Sequence, residues 1–197
     1  MKKSAQVFAI ALAVVSTALF TNRFQDAYAL PDDQALNTLD AKGLRQGHWV
    51  ITANMAHQVG YAQANSAVQE GNYIDDKREG VWIMYSPSGN KSAELTFRNN
   101  QLNGEAKRFS ENGVVIVETN YFNGFPKGVE KKYYPDGKLW TEFTWSEGRI
   151  KGEAATYYPN GKLCEIGNWV YAGWSGEYKL YYDNGNLYKS ESKPLVY

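Results

Sequence analysis

The sequence predicts an all-β chain, a single-layer antiparallel meander of about six stacked β-hairpins with a 24-residue period. Three observations carry this. Glycines and aromatic residues recur in phase at a fixed step, a compact turn ending in glycine occurs once per step, and the segments beside each turn are short and rich in Tyr, Phe, Trp, Val and Thr. Such segments suit strands, whose pleated surface accommodates branched and aromatic side chains.

The period is strict. One glycine series runs Gly80, Gly104, Gly128, Gly152, Gly176, and a second runs Gly89, Gly113, Gly137, Gly161, Gly185. Aromatic columns keep the same step at Tyr85, Phe109, Tyr133, Tyr157, Tyr181 and at Tyr73, Phe97, Tyr121, Trp145, Trp169. A stretched first copy begins at Gly47-His48-Trp49 and regains the phase by Glu70 and Tyr73, so a lengthened loop is expected within residues 57–67. Units therefore start near residues 47, 80, 104, 128, 152 and 176 of a repeat domain covering 47–197, preceded by a lead-in segment, 30–46.

Each unit holds one obvious turn, such as Pro135-Asp136-Gly137 or Pro159-Asn160-Gly161. Proline fixes φ near −65° and excludes the mirror-image turns, so a type I turn closed by a left-handed glycine is expected. A lone hairpin is marginal in water; neighbours must stack edge to edge, and six two-stranded units would make a ribbon of roughly 55–60 Å.

Strict alternation outward from the 135–137 turn places Tyr133, Leu139, Phe143 and Trp145 on one face, the expected core. The opposite face then receives Glu70, Glu94, Glu118 and Glu142, which read as a solvated acidic stripe. Catalytic carboxylates need unlike environments, whereas these recur identically. That second face also collects Tyr134, Trp140, Tyr158, Tyr178, Tyr182 and Tyr188, an aromatic patch that is the candidate binding site. The plainer alternative is that these rings pad a curved sheet. Cys164, the lone cysteine, has no histidine near it in sequence and reads as a packing residue. No catalytic residue, metal site or cofactor motif is expected, since His48 and His57 lack ligands at metal spacing and neither a P-loop nor a nucleophile elbow occurs.

Formal charge is balanced, with 21 basic and 21 acidic residues, so nucleic acid is not an expected partner. Lys2 and Lys3, an apolar stretch over residues 7–20 and Ala27-Tyr28-Ala29 have the order of a secretory signal peptide, 1–29, cleaved near Ala29. The stretch is shorter than the roughly 20 residues that cross a bilayer. The expected location is periplasmic, cell-surface or extracellular.

The segments from Gly128 to Glu142 and from Gly152 to Glu165, with their Gly-x-x-x-x-Tyr-Tyr-Pro-x-Gly-Lys-Leu core, resemble the MORN-repeat variant of bacterial proteins. The resemblance implies a sheet of stacked hairpins. It also implies kinship with chains labelled YwqK-family antitoxins; an exported member would act as an immunity protein against a toxin. The leading expectation is a non-enzymatic exported scaffold that binds a protein, with envelope lipid or glycan as other partners and self-association through exposed sheet edges. The antitoxin role is its alternative, and a hydrolase built on Cys164 the remote one.

Overall fold

In a computed structural model, which describes residues 36–57, 60, 63, 65–170 and 173–194, the chain forms one antiparallel sheet of 14 strands. The strands are β1 (Thr38–Leu39), β2 (Arg45–Thr52), β3 (Ala67–Ile74), β4 (Lys77–Tyr85), β5 (Lys91–Arg98), β6 (Gln101–Phe109) and β7 (Val115–Phe122). They continue as β8 (Phe125–Pro126), β9 (Gly128–Tyr133), β10 (Leu139–Ser146), β11 (Arg149–Tyr157), β12 (Leu163–Val170), β13 (Gly173–Tyr181) and β14 (Leu187–Lys193). They pair in chain order, except that short β8 caps the end of β7 while β9 continues the path. Among the described residues there is no helix, and so none long and apolar enough to cross a membrane. The signal-peptide segment 1–29 lies outside the described residues.

Two kinds of turn alternate along the meander. At one end of the strands, Gly137 N–H donates to the Tyr134 carbonyl and Tyr134 N–H to the Lys138 carbonyl, both at 2.8 Å. Gly137 sits at φ +84°, the left-handed region where a Cβ costs roughly 1–2 kcal/mol, as expected for a type I turn closed by glycine. At the opposite end, strands are joined by two-residue turns in which both residues have positive φ: Asp75-Asp76, Asn99-Asn100, Asn123-Gly124 and Glu147-Gly148. Those are mirror-image hairpin turns, whose twist matches that of the strands, and Asn and Asp tolerate them because their side chains bond locally. Asp76 and Asn100 also accept the backbone N–H of Arg45 and Arg78, at 3.0 and 2.7 Å. The lengthened first loop runs over residues 53–66 and is closed by Ala53 N–H to the Ser66 carbonyl.

Every glycine-closed hairpin carries a β-bulge just after its turn, and this overturns the strict alternation of faces. Leu139 pairs with Tyr133, but Thr141 pairs with Lys132, so Trp140 is an extra residue. Val68, Ser92, Ile116, Cys164 and Tyr188 are its counterparts in the other units. An added residue reverses the sidedness of all that follows it. Phe143 and Trp145 therefore lie on the face opposite Tyr133 and Leu139, and the glutamates share the face of the Tyr133 column. The two sides are not one apolar and one acidic.

The core lies on the Trp145 side. Its densest part is in the first units, where Trp49, Tyr73, Trp82 and Phe97 meet edge to face with centroids 4.8–6.5 Å apart. Trp82 is fully buried (0% exposed), its ring lying over Gly71. Arg45 and Arg78 roof this cluster, each guanidinium 3.9 Å above the ring of Tyr73 or Phe97. These are cation–π contacts between a planar cation and the negative face of a ring.

Candidate functional site

The glutamate column is a structural ladder. Tyr85, Tyr133 and Tyr157 each donate a phenolic hydrogen bond to the glutamate 15 residues earlier, to Glu70, Glu118 at 2.6 Å and Glu142 at 2.7 Å. Where Phe109 stands in place of tyrosine, Lys91 takes over. Its Nζ reaches Glu94 at 2.6 Å and lies 4.4 Å from the Phe109 ring centroid. In the fifth unit the ladder position is Ile166, because the glutamate is one residue early. Glu165 points to the other face and accepts from Thr156 at 3.1 Å and Tyr178 at 3.0 Å.

Burial, then the bond to its glutamate, pushes the Tyr133 and Tyr157 hydroxyls up to about 12 from 10.0, and Tyr178 likewise through burial and Glu165. Because the folded state holds these protons more tightly, the stabilisation is complete below pH 10 and is lost as pH rises through about 12. Spectrophotometric titration of the phenols should show late-ionising tyrosines together with an alkaline unfolding transition. The Tyr133→Phe, Tyr157→Phe double variant, which copies the natural Phe109, should flatten that alkaline fall; an unchanged fall would remove the ladder as its cause.

The six residues of the aromatic patch share the face of Phe143 and Trp145, with the glutamate ladder behind them. They do not form one cluster. Tyr178 stacks on Trp174 at 4.8 Å and is held by Glu165, away from the turns. The other five gather along the row of glycine-closed turns. Tyr134 and Tyr158 open two of those turns, and their hydroxyls donate to the carbonyls of Tyr157 and Tyr181 in the next unit, at 2.7 and 2.8 Å. Lys138 Nζ reaches the Pro159 carbonyl at 3.0 Å, Lys162 Nζ the Asn184 carbonyl at 2.6 Å, and Asn160 Nδ2 the Asp183 carbonyl at 2.7 Å. Each of the last three turns is thus clasped to its neighbour. In earlier units the same place is polar, with Ser86, Ser88 and Asn90 all donating to Glu111.

The bulge then presents rings along this row. Bulges commonly re-aim a side chain, and Trp140 is 45% exposed with its indole 6.0 Å from the Tyr134 ring. Tyr188, the bulge residue of the last unit, is 59% exposed and packs at 5.0 Å against Tyr182, itself 49% exposed. Cys164 occupies the same position between them in sequence phase. Its thiol lies beside the Tyr158 hydroxyl, and that hydrogen-bonding neighbour, then burial, raises the phenol above its ordinary range. A groove of about 460 Å³ opens between successive turns, lined by Tyr158, Pro159, Asn160, Tyr182 and Asp183. Sequence reasoning missed Pro159, Asn160 and Asp183 as lining residues because turn chemistry alone explains them.

A family model for the MORN repeat variant matches residues 78–99, 102–123, 126–147, 151–171 and 174–192, more than half of the chain. The protein belongs to the MORN-repeat variant family. Each match takes in one glycine-closed turn with its two flanking strands, so the family's unit coincides with the bulged hairpin seen here. No curated protein matches the chain. Among solved structures, the crystal structure of a GtfA/B complex bound to UDP and GlcNAc is similar to this MORN-variant chain at 13% identity and a TM-score of 0.24. The match covers 58% of this chain and 22% of that one. Among the described residues of the MORN-variant sheet, no group of three or more His, Cys, Asp or Glu side chains is placed to hold a metal ion.

Proposed function

We propose that this MORN-variant chain is an exported, non-catalytic scaffold that holds a protein partner along its row of glycine-closed turns. The observation that carries the reading is the set of exposed rings, Trp140, Tyr182 and Tyr188, set on turns that are hydrogen-bonded to one another. Large rings with few rotatable bonds, presented on a preorganised support, lose little freedom on binding, and such residues dominate protein interfaces. Asn160 and Asp183 give the groove between them a polar floor that can orient a peptide backbone. Family membership supports the scaffold part of the reading, since a repeat ribbon offers an extended surface built from equivalent units. Export rests on the order of residues 1–29 alone.

The test is capture from an envelope extract by cross-linking, with the recovered material identified by mass spectrometry. A stoichiometric protein partner is expected with the native chain and is expected to disappear when Trp140→Ala and Tyr182→Ala are combined. Circular dichroism should show the double variant still folded, because both rings are half exposed. Capture that survives both changes would sink the proposed site, and recovery of lipid or glycan alone would sink the protein partner.

A further inference from the structure

Tyr134, Tyr158 and Tyr182 open successive glycine-closed turns and recur every 24 residues, one hairpin apart. Two strands at the usual separation advance the row by about 9.6 Å per unit. Sheet twist tends to fan such strand ends apart, and the clasps oppose it: the short Asn160 side chain still reaches the Asp183 carbonyl at 2.7 Å. A chain lying along the row meets equivalent rings only if its own repeat matches that step. A polyproline II helix advances about 9.3 Å per three-residue turn and stays within about 0.6 Å of register over two units. Two turns of α-helix advance about 10.8 Å and drift by more than about 2 Å over the same distance. An extended strand repeats its side-chain direction every ~6.7 Å and does not match the step.

The row also offers what such a helix lacks. Polyproline II makes no internal hydrogen bonds, so its carbonyls need donors from outside. Among the described residues the Trp140 indole N–H and the Tyr182 hydroxyl have no hydrogen-bond partner, and both side chains are half exposed. The charges of the row are unevenly matched. Lys138 bonds Asp136 at 3.0 Å and Lys162 the Asn184 carbonyl at 2.6 Å. The Asp183 carboxylate, which lines the groove with Tyr158, has neither hydrogen bond nor ion pair among the described residues.

We infer that the partner held by the row is a proline-rich segment in the polyproline II conformation, with proline at every third residue and a basic residue set against Asp183. This rests on the reading of the row as a protein-binding site and names the kind of segment it takes. Proline rings pack in aromatic-lined grooves, and a helix already ordered before it binds loses little freedom. The basic residue supplies the cation that Asp183 lacks, and a guanidinium meets both oxygens of a carboxylate at once. In earlier units Ser86, Ser88 and Asn90 hold the equivalent place and offer no ring, so the segment spans the last three turns, about seven residues of polyproline II.

The probe is a labelled synthetic peptide with proline at every third position and a terminal arginine, titrated into the full chain by fluorescence anisotropy. The arginine is placed at either end in two versions, because the helix can lie along the row in both directions. The better version is expected to bind about tenfold more tightly than a peptide of the same composition whose prolines are irregularly spaced. Trp140→Ala should erase most of that difference. Asp183→Asn should remove the advantage of arginine over glutamine at the peptide end and leave the affinity of the glutamine peptide unchanged. Circular dichroism should show both variants folded. Equal affinity for the two proline spacings, or an arginine preference that survives Asp183→Asn, would overturn the inference. So would failure of the regular peptide to bind while the native chain still captures an envelope protein through Trp140 and Tyr182, a result that spares the wider reading, which only failed capture removes.

Discussion

Replacing Trp82 by alanine should destabilise the protein by roughly 3–5 kcal/mol, the usual cost of removing a buried tryptophan and leaving its cavity. Replacing Gly71 by leucine should also destabilise it, by about 1–3 kcal/mol or more. Even a bare Cβ at that glycine would meet the Trp82 ring at 2.5 Å. The two changes together should nearly cancel. One unit further on, the same two positions are Leu95 and Ala106, which pair directly, and two units beyond that they are Phe143 and Ala154. In the last unit the arrangement returns to the first form, with Gly167 opposite Tyr178 and the Trp174 ring lying over it. Each unit thus sums a large and a small side chain across neighbouring strands, in either order. Urea unfolding of the two single variants and the double one closes a thermodynamic cycle. A strongly favourable coupling is expected; simple additivity would mean that the sizes do not compensate.

The third unit fills the same pair of positions with polar groups, and the second large effect follows from that. Glu130 is 9% exposed, accepts from Thr119 Oγ1 and from Trp145 Nε1, both at 3.0 Å, and pairs with Lys132 at 3.5 Å. Glu130→Ala should cost on the order of 1–3 kcal/mol, because the indole N–H and the threonine hydroxyl are left without their acceptor in a largely buried site. Glu130→Gln keeps an acceptor and the shape, and should cost less. Should the alanine variant match or exceed the native stability, the carboxylate would be a burden that the fold carries, as some buried ion pairs are.

The meander and its period were legible because they rest on glycine and on the turn sequences, residues whose backbone demands differ from those of all others. Gly137 at φ +84° is one such case. Which side chain faces which way was not legible beyond the turn. The bulge position carries Val68, Ser92, Ile116, Trp140, Cys164 and Tyr188, a column with no shared chemistry, so nothing in its composition marks an extra residue. The tyrosine–glutamate ladder held the missing information, since a hydrogen bond between Tyr133 and Glu118 requires both on one face. The second set of turns left a trace in Asp75-Asp76, Asn99-Asn100 and Asn123-Gly124, also 24 residues apart, that was weaker than the proline–glycine signal. Of the candidate site, the rings could be seen in the sequence, but their division into a clasped row and a separate Tyr178 could not, because the acceptors are backbone carbonyls.

From β10 onward every described strand bonds only to its neighbours in sequence, while the densest core sits in the first two units. Loss of structure under load therefore has a preferred direction. Tension applied to both ends should peel β14 away first, and hairpins should then leave in reverse order of synthesis, each releasing the clasps that held it to the one before. The last structure to yield is the Trp82 cluster, so a nascent chain completes its strongest part first and a strained one surrenders it last.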